Sequence, residues 1–126
     1  MILNTRSSNN LTGVHPDLVK VVKLAASNTP LDFIVTEGVR TTSRQAELVR
    51  VGASRTMKSR HITGHAVDLA ALVGGDVRWD WPLYEHLGAI MKNAAAKLDI
   101  PITWGGDWDR GFRDGPHFQL TWEDYP

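Results

Sequence analysis

Ser59-Arg60-His61-Ile62-Thr63-Gly64-His65-Ala66-Val67-Asp68 is the stretch from which both the fold and the chemistry of this chain can be read. It holds two candidate metal ligands, His61 and Asp68, seven positions apart. Side chains alternate faces along an unbroken strand, so an odd separation sends these two to opposite sides. For both to reach one ion the chain must bend between them. Gly64 stands there and takes backbone angles that other residues resist. A third ligand must come from elsewhere, and His117 is best placed. It follows a Gly-Pro turn and enters a short strand in Asp114-Gly115-Pro116-His117-Phe118-Gln119-Leu120. Two histidines and a carboxylate with an open fourth position are the donor set of a catalytic zinc site.

Upstream of the stretch, residues 53–60 form a basic, polar loop without periodicity. Before it, Thr41 or Thr42 caps a helix running to about Val51, with Gly52 as its stop and Gln45, Leu48 and Val49 on or near one stripe. Gly38-Val39-Arg40-Thr41-Thr42 is the turn after a strand over residues 32–37, rich in β-branched and aromatic side chains. Pro16 suits a first helical turn, and Leu18, Val21, Val22 and Ala25 follow at helical spacing, which predicts an amphipathic helix over residues 15–27. His15 reads as a cap or surface residue rather than a ligand. Residues 1–14 are polar and are expected to form an irregular arm on the surface.

Downstream, residues 66–72 form an apolar strand carrying Asp68. Gly74-Gly75-Asp76 is a hairpin turn, and Val77-Arg78-Trp79 returns. Asp80-Trp81-Pro82 opens a third, longest helix whose buried face is Leu83, Leu87, Ile90, Met91, Ala94 and Leu98, with His86 exposed or at the core edge. Asp99-Ile100-Pro101 stops it. Ile102-Thr103-Trp104 is a short strand, followed by Gly105-Gly106-Asp107-Trp108, a polar loop to Gly115 and a last strand over residues 117–121. Mixed helices and short strands with sequential hairpins predict an α+β fold, a small antiparallel sheet with about three packed helices.

The composition sets outer bounds. A chain of 126 residues, 42% hydrophobic and 22% charged, suffices for one globular domain with a core. No apolar run approaches a membrane span, and Met1-Ile2-Leu3-Asn4-Thr5-Arg6 lacks the pattern of a signal peptide. Cysteine is absent, so any metal must use histidine and carboxylate. The net charge of zero gives no support to nucleic-acid binding.

Charge is nevertheless uneven. Residues 38–60 hold Arg40, Arg44, Arg50, Arg55, Lys58 and Arg60 against Glu47 alone, and residues 99–126 hold six acidic residues against Arg110 and Arg113. These are either two solvated faces that attract each other or a basic wall that receives an anionic substrate. Hydrolysis at a metal also needs a base. Asp114, three residues before His117, is placed by the Gly-Pro turn to take a proton from the attacking water and pass it to the leaving amine. Negative charge developing on the carbonyl oxygen needs a cation. Arg40 is the candidate, with a structural pair to Glu37 or Glu47 as the competing reading. If Gly64 bends the chain, His65 lines or shields the site; it is counted as a substrate contact, not a ligand.

Ser59-x-His61-x-x-Gly64-x-Ala66-x-Asp68 together with Asp114-x-x-His117 resembles the zinc peptidases that include VanY-type D-Ala-D-Ala carboxypeptidases and phage L-alanyl-D-glutamate endolysins. Gly38-Val39-Arg40-Thr41 with Gln45, Asp80 near the third helix, and Trp104-Gly105-Gly106-Asp107-Trp108 are similar to the endolysin branch. The resemblance covers roughly residues 16–120. It implies zinc bound by His61, Asp68 and His117, an acidic catalytic residue at Asp114, a substrate-polarising Arg40 and a fold shared with the hedgehog signalling domain. Many carboxypeptidase relatives carry Glu where this chain has Asp114, which again favours the endolysin branch.

The activity so implied is cleavage of the L-Ala-D-Glu bond of the peptidoglycan stem peptide by a monomeric endolysin. A D-Ala-D-Ala carboxypeptidase of the same fold and a non-catalytic, zinc-stabilised wall-binding module are the alternatives. The D-Glu carboxylate beside the scissile amide calls for a cation, for which Arg55, Lys58 and Arg60 are candidates. Ser59, Arg60, Gln45 and His65 are the expected substrate contacts. A single catalytic domain over residues 1–126 is expected, without a separate wall-binding domain. Without a signal peptide the protein is expected in the host cytoplasm until a holin-type protein opens the membrane.

Overall fold

The computed structural model describes residues 1–109 and 113–126. Arg110, Gly111 and Phe112, part of the polar loop expected before Gly115, lie outside the described residues. In chain order the elements are α1 (Thr5–Asn10), α2 (Pro16–Asn28), β1 (Phe33–Glu37), α3 (Thr42–Arg50), β2 (Ala66–Val73), β3 (Asp76–Arg78), α4 (Trp81–Leu98), β4 (Ile102–Trp104), a 3-10 turn (Gly105–Asp107) and β5 (His117–Leu120). The strands form one antiparallel sheet in the order β1-β2-β5-β4, with β3 also paired to β2. The expected α+β architecture is therefore the one observed.

Strand alternation divides this sheet into two chemically different faces. Phe33 and Val35 of β1, Val67, Leu69 and Ala71 of β2, Trp104 of β4, and Phe118 and Leu120 of β5 join the core. Leu18, Val21, Val22 and Ala25 of α2, and Leu87, Met91 and Ala94 of α4, cover them from one side. The intervening residues, among them Asp68, Thr103, His117 and Gln119, point to the other face. The core thus fixes which side chains can form a site.

Local signals place most ends correctly. His15 caps α2, its Nδ1 accepting the Asp17 N–H at 3.0 Å, with Pro16 in the first turn. Thr41, of the two threonines, caps α3 through the Arg44 N–H. Gly74 and Gly75 turn the β2–β3 hairpin, so Asp76 already belongs to β3 opposite Val73.

Two expectations fail. Residues 1–14 are not an irregular surface arm: they contain α1, and Ser7, Leu11 and Val14 are buried. Its sequence, TRSSNN, has no apolar stripe because its polar side chains do the packing. Ser7 Oγ accepts the Val35 N–H at 2.9 Å, and Asn10 Nδ2 donates to the Val35 carbonyl at 2.8 Å. The helix thereby satisfies the outer edge of β1, which would otherwise be open to pairing. Leu98 is the second correction, being exposed rather than core. Asp99 takes left-handed backbone angles (φ 57°), and the Ile100 N–H closes on the Ala95 carbonyl at 3.0 Å. In this helix-ending motif it is the residue after the left-handed one that folds back, and Ile100 packs on the core in place of Leu98.

Candidate metal centre

Strand register brings the carboxylate and one imidazole together. Asp68 on β2 is paired with His117 on β5 on one side and with Glu37 on β1 on the other. Directly opposed residues put their Cβ atoms about 5 Å apart, so three neighbouring strands present Glu37, Asp68 and His117 in a row on the non-core face. A bulge after Val35 shifts β1 by one residue and brings Glu37 rather than Thr36 opposite Asp68.

His61 arrives from the turn before β2. Gly64 makes that turn with φ +77°, and a Cβ at this position would stand 2.6 Å from the Gly13 carbonyl oxygen. The turn is fastened on both sides: His15 N–H donates to the Gly64 carbonyl at 2.7 Å, and Arg40 N–H to the His61 carbonyl at 2.9 Å. Gly64→Ala should therefore cost about 1–3 kcal/mol through backbone strain alone, more with the clash, and weaken metal binding together with thermal stability. A melting curve and metal titration matching wild type would show that the turn does not position His61.

His61 Nε2 lies 3.2 Å and His117 Nδ1 3.4 Å from Asp68 Oδ1. One ligand atom from each of the three residues can be chosen so that all lie within 4.8 Å of one another. The outer nitrogens test whether a metal fits. His61 Nδ1 is 2.9 Å from the Gly38 carbonyl oxygen, which only accepts, so the proton sits on Nδ1. His117 Nε2 donates to Gln119 Oε1 at 2.8 Å. Both neutral rings then turn a lone pair toward a carboxylate oxygen, an arrangement that repels unless a cation or a proton lies between them. Imidazoles anchored through their far N–H are the usual metal-binding form. The donor set fits a divalent ion of zinc type.

Electrostatics show the same competition. Burial opposes charge on Asp68, but hydrogen bonds and positive charge from His117 and His61 hold its carboxyl well below the usual range. Burial likewise opposes charge on His117, yet Asp68, Gln119 and Asp114 outweigh it and raise its pKa. In the metal-free protein a proton therefore competes for this site at higher pH than for an ordinary histidine. Metal affinity should fall as pH falls through that raised value, with proton release on binding. Competition against a chromophoric chelator over a pH series measures this, and a flat affinity would take His117 Nδ1 out of the coordination.

The cluster lies on a cleft of about 900 Å³ that also includes Arg40, Ser59, Trp108, Arg113 and Asp114. Asp114 reaches it because Gly105 has no side chain: a Cβ there would stand 2.3 Å from the Asp114 carbonyl oxygen. Asp114 N–H donates to the Gly105 carbonyl at 3.0 Å, and Trp104 Nε1 holds the Gly115 carbonyl at 2.7 Å. Burial, and then the charge of Asp68, push the Asp114 carboxyl up. Such a group is poised to exchange protons nearer neutrality than an ordinary aspartate.

Arg40 makes the structural pair left open by the sequence, with Glu37 as its partner, and also lines the cleft. Its Nε and Nη2 hold the two Glu37 oxygens at 2.7 Å each, and Nη1 donates to Gln45 Oε1 at 2.7 Å. Two of its five N–H groups remain, and Nη2 stands 3.9 Å from Asp68 Oδ2 on the cleft wall. Glu47 pairs with Arg50 instead.

Three residues are placed differently from the substrate contacts expected. Gln45 is fully buried; it orients Arg40 and ties down the next loop through Ser54 Oγ and the Thr56 carbonyl. His65 is turned away by the bend at Gly64, bonding Thr63 Oγ1 at 2.7 Å and lying 5.5 Å from the His15 ring. Arg60 is 4% exposed, and its Nη2 donates to the Leu120 and Tyr125 carbonyls at 3.1 and 2.5 Å. Ser59 lines the cleft, its Oγ accepting the His61 N–H at 3.2 Å. His86 is exposed on α4, outside the cleft. Gln119 was missed, though its position two residues after His117 on a strand puts both on one face. Trp108, 5.0 Å from the His117 ring, was legible only as the end of the motif over residues 104–108, with nothing to mark it as a site residue.

Comparison with known proteins gives concordant results. The sequence profile of the family described as "Phage L-alanyl-D-glutamate peptidase" matches residues 1–121. An L-alanyl-D-glutamate peptidase of Escherichia phage T5 is 34% identical over 131 aligned positions, covering 91% of this chain and 94% of that protein. The crystal structure of the Serratia marcescens L-Ala D-Glu endopeptidase ChiX superposes with a TM-score of 0.91 at 49% identity, over 97% of this chain and 91% of that one. The vancomycin-resistance D,D-dipeptidase VanXYg, crystallised with a D-Ala-D-Ala phosphinate analogue, gives a TM-score of 0.57 at 19% identity, over 85% of this chain and 50% of that one. That last likeness concerns the fold alone.

Proposed function

The chain belongs to the phage L-alanyl-D-glutamate peptidase family, and we propose that it is a zinc-dependent endolysin that cuts the L-Ala-D-Glu bond of peptidoglycan stem peptides. The observation that carries this reading is the convergence of His61, Asp68 and His117 in a cleft that also holds Asp114 and Arg40. His61 Nε2, an Asp68 oxygen and His117 Nδ1 would hold the ion. Zinc, when bound, supplies a Lewis acid that acidifies water and polarises the scissile carbonyl.

The rest of the reaction falls to the chain itself. Asp114 takes the proton of the attacking water on its carboxylate and returns it to the amine nitrogen of D-Glu as the amide breaks. Arg40, locked by Glu37 and Gln45, turns its two remaining N–H groups toward the negative charge that develops on the carbonyl oxygen, and needs no reorganisation to do so. With Arg60 committed to the C-terminal carbonyls, the D-Glu carboxylate falls to the exposed loop, where Arg55 and Lys58 line the cleft. Lys58→Gln should raise KM several-fold with kcat little changed, and added salt should narrow the gap from wild type. Identical KM values at low and high salt would leave Lys58 a solvated charge.

Among the described residues no helix is long and apolar enough to cross a membrane. Action on the host wall as a monomer, after a holin-type protein opens the membrane, belongs to the same proposal. Mass spectrometry of digested peptidoglycan tests the central claim. An endolysin of this kind releases peptides that begin at D-Glu and leaves L-Ala on the sugar. Loss of terminal D-Ala alone would mean a carboxypeptidase on this fold, and no release would mean a wall-binding module.

A further inference from the structure

Trp122 is 54% exposed and lines the same cleft, yet it is not a loose surface side chain. The Arg60 guanidinium lies 3.9 Å from its ring centroid. Arg60 is almost wholly buried and anchored to the Leu120 and Tyr125 carbonyls, so it covers the inner side of the indole and holds it from behind. The exposed area therefore belongs to the outer face and edge. Arg60 is also the chain neighbour of His61, which ties the ring to the metal-binding turn. A flat aromatic surface fixed before binding loses little freedom when a ligand stacks on it.

The site restricts that ligand. Glu123 and Asp124 follow Trp122 and are exposed, but neither lines the cleft, whereas Arg55, Lys58 and Arg113 do. The restriction comes from the ring itself, because the negative π face of an indole repels a carboxylate stacked on it. In a peptidoglycan stem, everything beyond the scissile bond begins with the D-Glu carboxylate. On the other side L-Ala is joined by an amide to the lactyl arm of an N-acetylated amino sugar. That sugar is neutral once its lactyl group is amidated, and it presents C–H groups that pack on the electron-rich face of an indole. Trp122 lies five residues beyond His117, at most about 17 Å along an extended chain. One amino acid, the lactyl arm and a sugar ring or two have a comparable reach.

We propose that Trp122, braced by Arg60, is a stacking platform for the amino-sugar ring that carries the stem peptide, so that the enzyme recognises glycan as well as peptide. This rests on the peptidoglycan reading above. The test compares two substrates with the zinc-loaded protein: a disaccharide-pentapeptide and the same pentapeptide without sugar. Wild type should prefer the sugar-bearing substrate in kcat/KM. Trp122→Ala should reduce that preference by about 3- to 10-fold, mainly through KM, and Trp122→Phe should restore part of it.

Equal losses on both substrates would reduce Trp122 to a structural lid over Arg60 and overturn the proposal, as would an unchanged preference. Calorimetric binding of the peptide-free disaccharide, carrying its lactyl group as an amide, gives a second reading independent of turnover. Heat of binding in wild type that is lost in Trp122→Ala supports the platform, and equal heats in both overturn it. If wild type cleaves neither substrate, the peptidase assignment has failed, and the calorimetric comparison still decides for or against the platform.

Discussion

Asp114→Asn should give a folded, metal-binding protein whose turnover is lower by about two to four orders of magnitude. The substitution keeps size and shape. The bonds that place residue 114 are made by its backbone, through the Gly105 carbonyl and the His117 N–H, and an asparagine keeps them. What disappears is the carboxylate proposed to accept the proton. The same change removes a charge that burial and Asp68 both disfavour. A carboxyl whose folded pKa lies above its unfolded value destabilises the folded state at pH values above both. The metal-free variant should therefore melt no lower than metal-free wild type at neutral pH. An inactive variant with unchanged zinc content and melting temperature places Asp114 in the chemistry. Near-normal kcat would assign the proton to another group, and His65, turned toward His15, is not positioned to be that group.

The second large effect belongs to the three proposed ligands. His117→Ala, like His61→Ala or Asp68→Ala, should abolish stoichiometric zinc and activity together. A metal that binds only the folded state stabilises it by about 4 kcal/mol when its free concentration is a thousand times Kd. Chelation should thus lower the wild-type melting temperature and leave that of His117→Ala unchanged. The contrast separates ligation from packing, because His117 is buried and its truncation also leaves Gln119 without its partner. Full zinc occupancy in the variant would remove His117 from the coordination sphere. A chelator that lowers both melting temperatures equally would be acting elsewhere on the protein.

Much of this arrangement was legible because it is local. Leu18, Val21, Val22 and Ala25 announce α2 by spacing alone, and Pro16 with His15 marks its start. The odd interval between His61 and Asp68 demands a bend, and Gly64 is where it occurs. A polar helix such as α1 announces nothing, since its side chains pack by hydrogen bonding to β1 and leave no apolar stripe. Arg60 misleads for a related reason. A basic residue beside a ligand looks like a substrate contact, but its partners are backbone carbonyls, which no sequence pattern reveals.

What the sequence by itself determined is the inventory: helices and strands by period, turns by glycine and proline, and a donor set without cysteine. Only the tertiary structure decided which strands lie side by side. β5 enters between β2 and β4, and that choice sets His117 opposite Asp68 while Glu37 flanks it from β1. It also decided which imidazole nitrogens are free, through the Gly38 carbonyl and Gln119, and it turned His65 outward and Arg60 inward. The physical reason is that backbone hydrogen bonds are chemically alike for every possible pairing of strands. Partner and register are selected by how the opposite, apolar face packs against α2 and α4, and the active face takes its geometry from that choice.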